Sequence, residues 1–190
     1  MNKPIESKIY KATDFTKTRL PREEYEHCVF EACDFSNGYL DNQSFMECEF
    51  IDCNLTNSNI VNTTFNEVKF SHCKLMGMGF STCNSFLMNF SFFDCNLNFS
   101  NFSHLKLSGV RFVDCKLQEV DFSAADLSRA QFDSCDLSRA IFFSTNLEKA
   151  DFRTATHFSM DPENNKMNGA IFSKGGLAGL LQKYKLKILP

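Results

Sequence analysis

The sequence predicts a solenoid built from short repeats, and three observations carry that reading. First, Phe112, Leu117, Phe122, Leu127, Phe132, Leu137, Phe142, Leu147 and Phe152 recur every fifth residue, with Phe and Leu in strict alternation. A helix has a period of about 3.6 and a strand a period of 2, so neither keeps a five-residue spacing on one face. A fixed short period sustained this long marks a repeat architecture. Second, the frame continues back through Leu107, Phe102 and Leu97, and an earlier run in a different frame steps by fives from Phe15 to Phe80 with a large apolar residue at every step. Third, the cysteines mark a longer period. Cys33, Cys53 and Cys73 are spaced by twenty, and so are Cys95, Cys115 and Cys135.

Two residues before each large apolar position sits a second inward position, usually small, as at Ala125, Ala130, Cys135 and Ala140. The other three positions of each unit are mostly polar. The units Ala-Asp-Leu-Ser-Arg (125–129), Cys-Asp-Leu-Ser-Arg (135–139) and Ala-Asp-Phe-Arg-Thr (150–154) resemble the pentapeptide-repeat family, over roughly residues 13–155. The resemblance implies an all-β solenoid, a right-handed quadrilateral β-helix with four pentapeptides to a coil. About seven coils at the spacing of stacked strands make a rod roughly 34 Å long. Each coil of such a rod contacts only its neighbours.

Along the chain, residues 1–12 read as a lead-in, with Ile5 and Tyr10 already in frame, as a partial first coil or a cover over its end. The repeat domain spans 13–172. Its first coil is imperfect, because Glu23 occupies an inward position. The register breaks within 81–91, where two residues are inserted among Ser-Phe-Leu-Met-Asn-Phe-Ser-Phe-Phe (85–93). A bulged corner that tucks Phe86 inside is the expectation. Phe93, Phe99 and Phe143 fall on outward positions, either as lone exposed apolar residues or as a contact patch. Residues 155–168 are irregular, and Gly169–Phe172 makes one last repeat. The segment 173–190 reads as a C-terminal helix and short strand. Ser173 is a candidate N-cap. Leu177, Leu180, Leu181 and Tyr184 share one helical face, while Leu186 and Ile188 suggest the strand. An open solenoid end needs a cap, so this segment is a cap, or a cap that is also a dimer contact.

No catalytic constellation is legible. His27, His72, His104 and His157 are scattered, and no phosphate-binding glycine loop is present. The Asp residues that precede large apolar positions (Asp34, Asp121, Asp126, Asp136, Asp151) read as corner hydrogen-bonding groups. None of the nine cysteines forms the short paired spacing of a zinc site. All fall on the small inward position and read as buried, reduced thiols, with no metal and no cofactor. The chain starts without an apolar signal core and has no membrane-length stretch, which points to the cytoplasm.

Charge is more informative than its net of −3. Ten acids and no Lys or Arg lie between Glu23 and Val68. With four units per coil, Glu26, Glu31, Glu47, Glu49 and Glu67 fall on two adjacent faces, with Glu47 and Glu67 in one column. Such a surface is a solvated acidic face, or it presents spaced negative charge as a DNA duplex does; either way it disfavours direct nucleic-acid binding. The chain is similar in plan to the Qnr and MfpA type and the McbG and AlbG type within the family. That resemblance implies a non-enzymatic DNA mimic that binds DNA gyrase or topoisomerase IV, protects it from a quinolone or a peptide toxin, and forms a homodimer through its C-terminal segment. The alternative is an interaction scaffold with an unrelated protein partner. Unlike the Qnr type, the chain has no long projecting loop, and Lys183, Lys185 and Lys187 make its tail basic.

Overall fold

The computed structural model describes residues 3–187. Short parallel strands stack on two of the four faces. A short sheet holds Ile5–Glu6, Glu24–Glu26, Ser44–Met46 and Thr64–Asn66. A long sheet of nine strands runs the length of the rod, from Ile9–Lys11 through Val68–Ser71 and Phe90–Phe93 to Ile171–Phe172. The other two faces are joined by isolated bridges such as Asp34 with Asn54 and Asp121 with Ile141. Pairing advances by twenty residues, as in Tyr10 with Phe30 and Phe112 with Phe132. The rod has about eight turns, one more than the frame suggests. Residues 5–11 pair as a true first coil and Ile171–Phe172 as a last one.

Fivefold spacing puts one large side chain per face per coil on the axis. Behind the long sheet, nine rings from Tyr10 to Phe172 stack without interruption at centroid spacings of 4.7–5.3 Å. The small inward position does a second job. Ser58, Thr63 and Thr145 each donate a hydroxyl hydrogen bond to the carbonyl 23 residues earlier, in the coil below. The thiols of Cys28, Cys48, Cys53, Cys73, Cys83 and Cys135 do the same at 3.2–3.4 Å. No buried side-chain nitrogen or oxygen among the described residues lacks a partner. The five corner aspartates each accept the N–H two residues on, as at Asp126 and Ser128 (3.0 Å).

The register break corrects one expectation. Val68 pairs with Phe90, so the two extra residues lie in 85–89, on the short-sheet face. Phe86 is not tucked inside: it is 71% exposed, and Leu87 points outward beside it. The interior is filled another way. Phe90 takes the register of the small residue Val68, and its ring sits 5.4 Å from Phe80 and 5.2 Å from Phe92. Bulk missing from the large position is supplied at the neighbouring small one, which keeps the core dense.

The C-terminal cap also differs from its helical pattern. A single α-turn, Ala178–Leu181, is flanked by 3-10 turns Gly175–Leu177 and Gln182–Tyr184. Its buried residue is Gly179, not the leucine stripe; Leu180 is half-buried, while Leu177, Leu181 and Tyr184 are exposed. Phe158 plugs the end of the rod. A Cβ on Gly179 would stand 2.3 Å from the Phe158 carbonyl oxygen and 2.8 Å from its ring, so only glycine fits. Ser173 Oγ accepts the Gly176 N–H at 3.1 Å. Leu186 is in no strand, and Ile188 lies outside the described residues.

Candidate protein-binding face

The twenty-residue coil assembles the acidic surface from residues far apart in sequence. Glu26 stands on the short sheet and Glu31 and Glu49 on the long one. Glu47 and Glu67 occupy successive levels of the corner between the two sheets, both with left-handed backbone. The two-face arrangement expected from spacing is therefore present, but its faces differ in effective charge. Lys11 pairs with Glu31 at 2.7 Å, and Lys69 lies 3.9 Å from Glu49. Arg19 and Arg22 clamp Asp41 on a third face. Glu24, Glu26 and Glu67 have no ion pair among the described residues, and Glu47 meets only His27, at 3.4 Å. In the first four coils, the acid without a Lys or Arg partner is concentrated on the short-sheet face. Sequence reading misses this, because the neutralising bases lie a coil away.

The apolar candidates do not form one patch. Phe93 is half-buried between Lys69 and Arg111, whose cationic groups sit 5.6 and 5.5 Å from its ring centroid. Phe99 and Phe143 are exposed, but they project from different faces. Phe86 and Leu87 are exposed next to each other in the bulge, and Ile141 is exposed close in sequence to Phe143.

Stacking also brings histidines beside carboxylates that sequence reading leaves unpaired: His72 lies 3.7 Å from Asp52, and His157 lies 2.9 Å from Asp136. These are exposed pairs in which no hydroxyl or thiol is hydrogen-bonded to the ring among the described residues, so they lack the nucleophile–base contact of covalent catalysis. A surface depression lined by Gln131, Asp133, Asp151 and Arg153 is spanned by the Arg153–Asp151 ion pair at 2.6 Å. All nine cysteines are unbridged and buried. Loss of solvent pushes the Cys48 thiol up to about 12 and raises Cys83 further, so neither holds a reactive thiolate. Among the described residues, no group of three or more His, Cys, Asp or Glu side chains is placed to hold a metal, and no helix is long and apolar enough to cross a membrane.

Comparison with known proteins agrees with this geometry. Among solved structures, HetL, a pentapeptide repeat protein involved in heterocyst differentiation regulation from the cyanobacterium Nostoc sp. strain PCC 7120, superposes with a TM-score of 0.51 at 14% identity, covering 91% of this chain and 87% of its own. QnrB1, a plasmid-mediated fluoroquinolone resistance protein, gives a TM-score of 0.49 in a trypsin-treated form at 18% identity, covering 97% of this chain and 100% of its own. No curated protein matches the sequence closely. The model of the pentapeptide repeat region matches residues 23–86 and 85–161. With that match over most of its length, on a four-faced solenoid of five-residue units, the chain belongs to the pentapeptide-repeat family.

Proposed function

We propose that the protein is a non-enzymatic DNA mimic that binds a type II topoisomerase, DNA gyrase or topoisomerase IV, in the cytoplasm and shields it from a quinolone or a peptide toxin. The observation that carries this reading is the row of unneutralised carboxylates on the short-sheet face, rising in strand-spaced steps of about 4.8 Å along a rigid rod. A surface built to grip a polyanion accepts such a row in place of phosphates. The family and its Qnr-type members supply the choice of partner. The exposed Leu177, Leu181 and Tyr184 support a homodimer through the C-terminal segment. A scaffold with an unrelated partner is the second reading, favoured by the neutralised charge on the long-sheet face.

The test is binding to purified gyrase across salt concentration, with duplex DNA as competitor. Affinity should fall steeply with salt, and DNA should displace the protein. Changing Glu26, Glu47, Glu49 and Glu67 to Gln should weaken binding mainly through slower association, with the fold intact. Changing Asp114 and Asp133 to Asn and Glu119 to Gln should leave binding unaltered. Equal affinity for wild type and both variants, or no binding at low salt, would favour the scaffold.

A further inference from the structure

We infer that the short-sheet face is self-complementary and pairs two copies of this chain side by side, antiparallel. The observation is the order of charge along that one face. Its lower half carries Glu24, Glu26, Glu47 and Glu67, with no Lys or Arg between Glu24 and Glu67 and only His27 beside Glu47. Its upper half carries Lys106, Arg129, Lys149 and Lys166, all exposed and none ion-paired among the described residues, against Asp126 and Glu148. Between the halves, at the midpoint of the face, stands the bulge with Phe86 and Leu87 exposed. Elsewhere on the rod Lys11, Arg19, Arg22, Lys69, Arg139 and Arg153 find acids on their own chain, while Lys74 and Lys116, also without an ion pair among the described residues, stand on a different face.

A twofold axis across the rod through the bulge turns this order into a match. It lays each copy's acidic half on the other's basic half. An axis in that direction keeps each corner column facing the same column of the second copy. Glu47 lies two coils below the bulge and Arg129 two coils above it. Both are left-handed residues of one corner, with φ of 52° and 59°. The operation therefore sets Glu47 of each copy against Arg129 of the other, twice. Phe86 and Leu87 meet their own counterparts on the axis and lose water. The bulges hold the faces apart by a span that long Glu, Lys and Arg side chains cross. Glu26 faces Glu148 and His27 faces Lys149 of the second copy, so the charge match rests on the two Glu47–Arg129 contacts. The face is about eight strand spacings long and one short strand wide, which gives roughly 1,000 Å² buried in total, the lower limit for a specific interface. The pair is weak and salt-sensitive. It hides the acidic row, and it stands without the topoisomerase reading, because it needs only this chain.

Sedimentation velocity of the full chain tests it with no partner present. With the separate cap contact removed by L177D/L181D, the chain should dimerise with rising concentration at low salt and dissociate at high salt, and the changes below are made in that background. E47R alone and R129E alone should each weaken the dimer roughly tenfold or more, since each turns two attractions into two repulsions. An equimolar mixture of E47R and R129E should regain it, because every Glu47–Arg129 contact then joins opposite charges in the heterodimer. The double change F86S/L87S should weaken it without affecting its salt dependence. A monomer at low salt and high concentration, a dimer indifferent to these changes, or no recovery in the mixture would overturn the proposal. An L177D/L181D chain that stays monomeric at low salt would place all self-association at the C-terminal cap and overturn it equally.

Discussion

Twenty-six non-glycine residues among those described have positive φ, nearly all at the second polar position of a repeat. None is Val, Ile or Thr. The left-handed region brings Cβ against the neighbouring carbonyl, and branching there makes matters worse. The exceptions follow the same physics. Thr82 and Thr154 hold the corner position, and neither is left-handed; Thr82 instead ends the 3-10 turn Phe80–Thr82. Ala124, exposed with φ of 57°, isolates the effect. Ala124→Val should lower stability by about 1–2 kcal/mol in urea unfolding, while Ala124→Gly should match or exceed wild type. Inward positions were legible in the sequence for the same reason, since period alone fixes them. Phe86 was not. It is as apolar as Phe90, and only the exact place of the two-residue insertion decides which of the two enters the core.

The cap is the element whose sequence was least faithful to its structure. Leu177, Leu180, Leu181 and Tyr184 have helical spacing, yet what docks is the backbone at Gly179 against Phe158. A pattern search scores apolar side chains and is blind to a contact made by the lack of one. Polar groups complete the attachment. Lys183 Nζ lies 2.6 Å from Asp161 and 2.7 Å from Glu163, and the Tyr184 hydroxyl donates to Glu163 at 3.0 Å. The Lys183 hydrogen bonds lower both carboxyl pKa values and raise that of Lys183. A carboxylate lowered on folding contributes stability above the ordinary carboxylate range and loses it as pH falls through the lowered value. Lys183, raised, stays charged throughout that range. Amide exchange in 178–184 should therefore quicken, relative to the central coils, below about pH 4. Lys183→Gln should abolish that acid step. An unchanged profile in this variant would show that the cap is held by Phe158 alone.

Across the whole molecule, stability is a sum over neighbouring coils, and the two ends lack a neighbour on one side. The C-terminal end has its cap. In the first described coil Ile5, Tyr10 and Phe15 are only half-buried, and among the described residues the edge strands Ile5–Glu6 and Ile9–Lys11 pair on one side only. Hydrogen exchange should rank accordingly: fastest in residues 5–15, slowest in the coils around Phe92, Phe112 and Phe122. Uniform protection would mean that the rod opens as one unit. The charge pattern was visible in the sequence as a run of acids, but its concentration on one face depended on Lys11, Arg19, Arg22 and Lys69, which only the winding brings near. That winding also governs which genetic changes the fold can absorb. Twenty residues bring the chain back above its starting point, and so do the twenty-two that separate Val68 from Phe90. The loss of one whole turn would shorten the rod by a storey and leave every later side chain on its own wall. The loss of five residues would preserve the alternation of inward and outward positions and yet rotate everything downstream by a quarter turn, like a screw stopped at the wrong quadrant. Such a variant would fold, and Glu47 and Arg129 would look out in different directions.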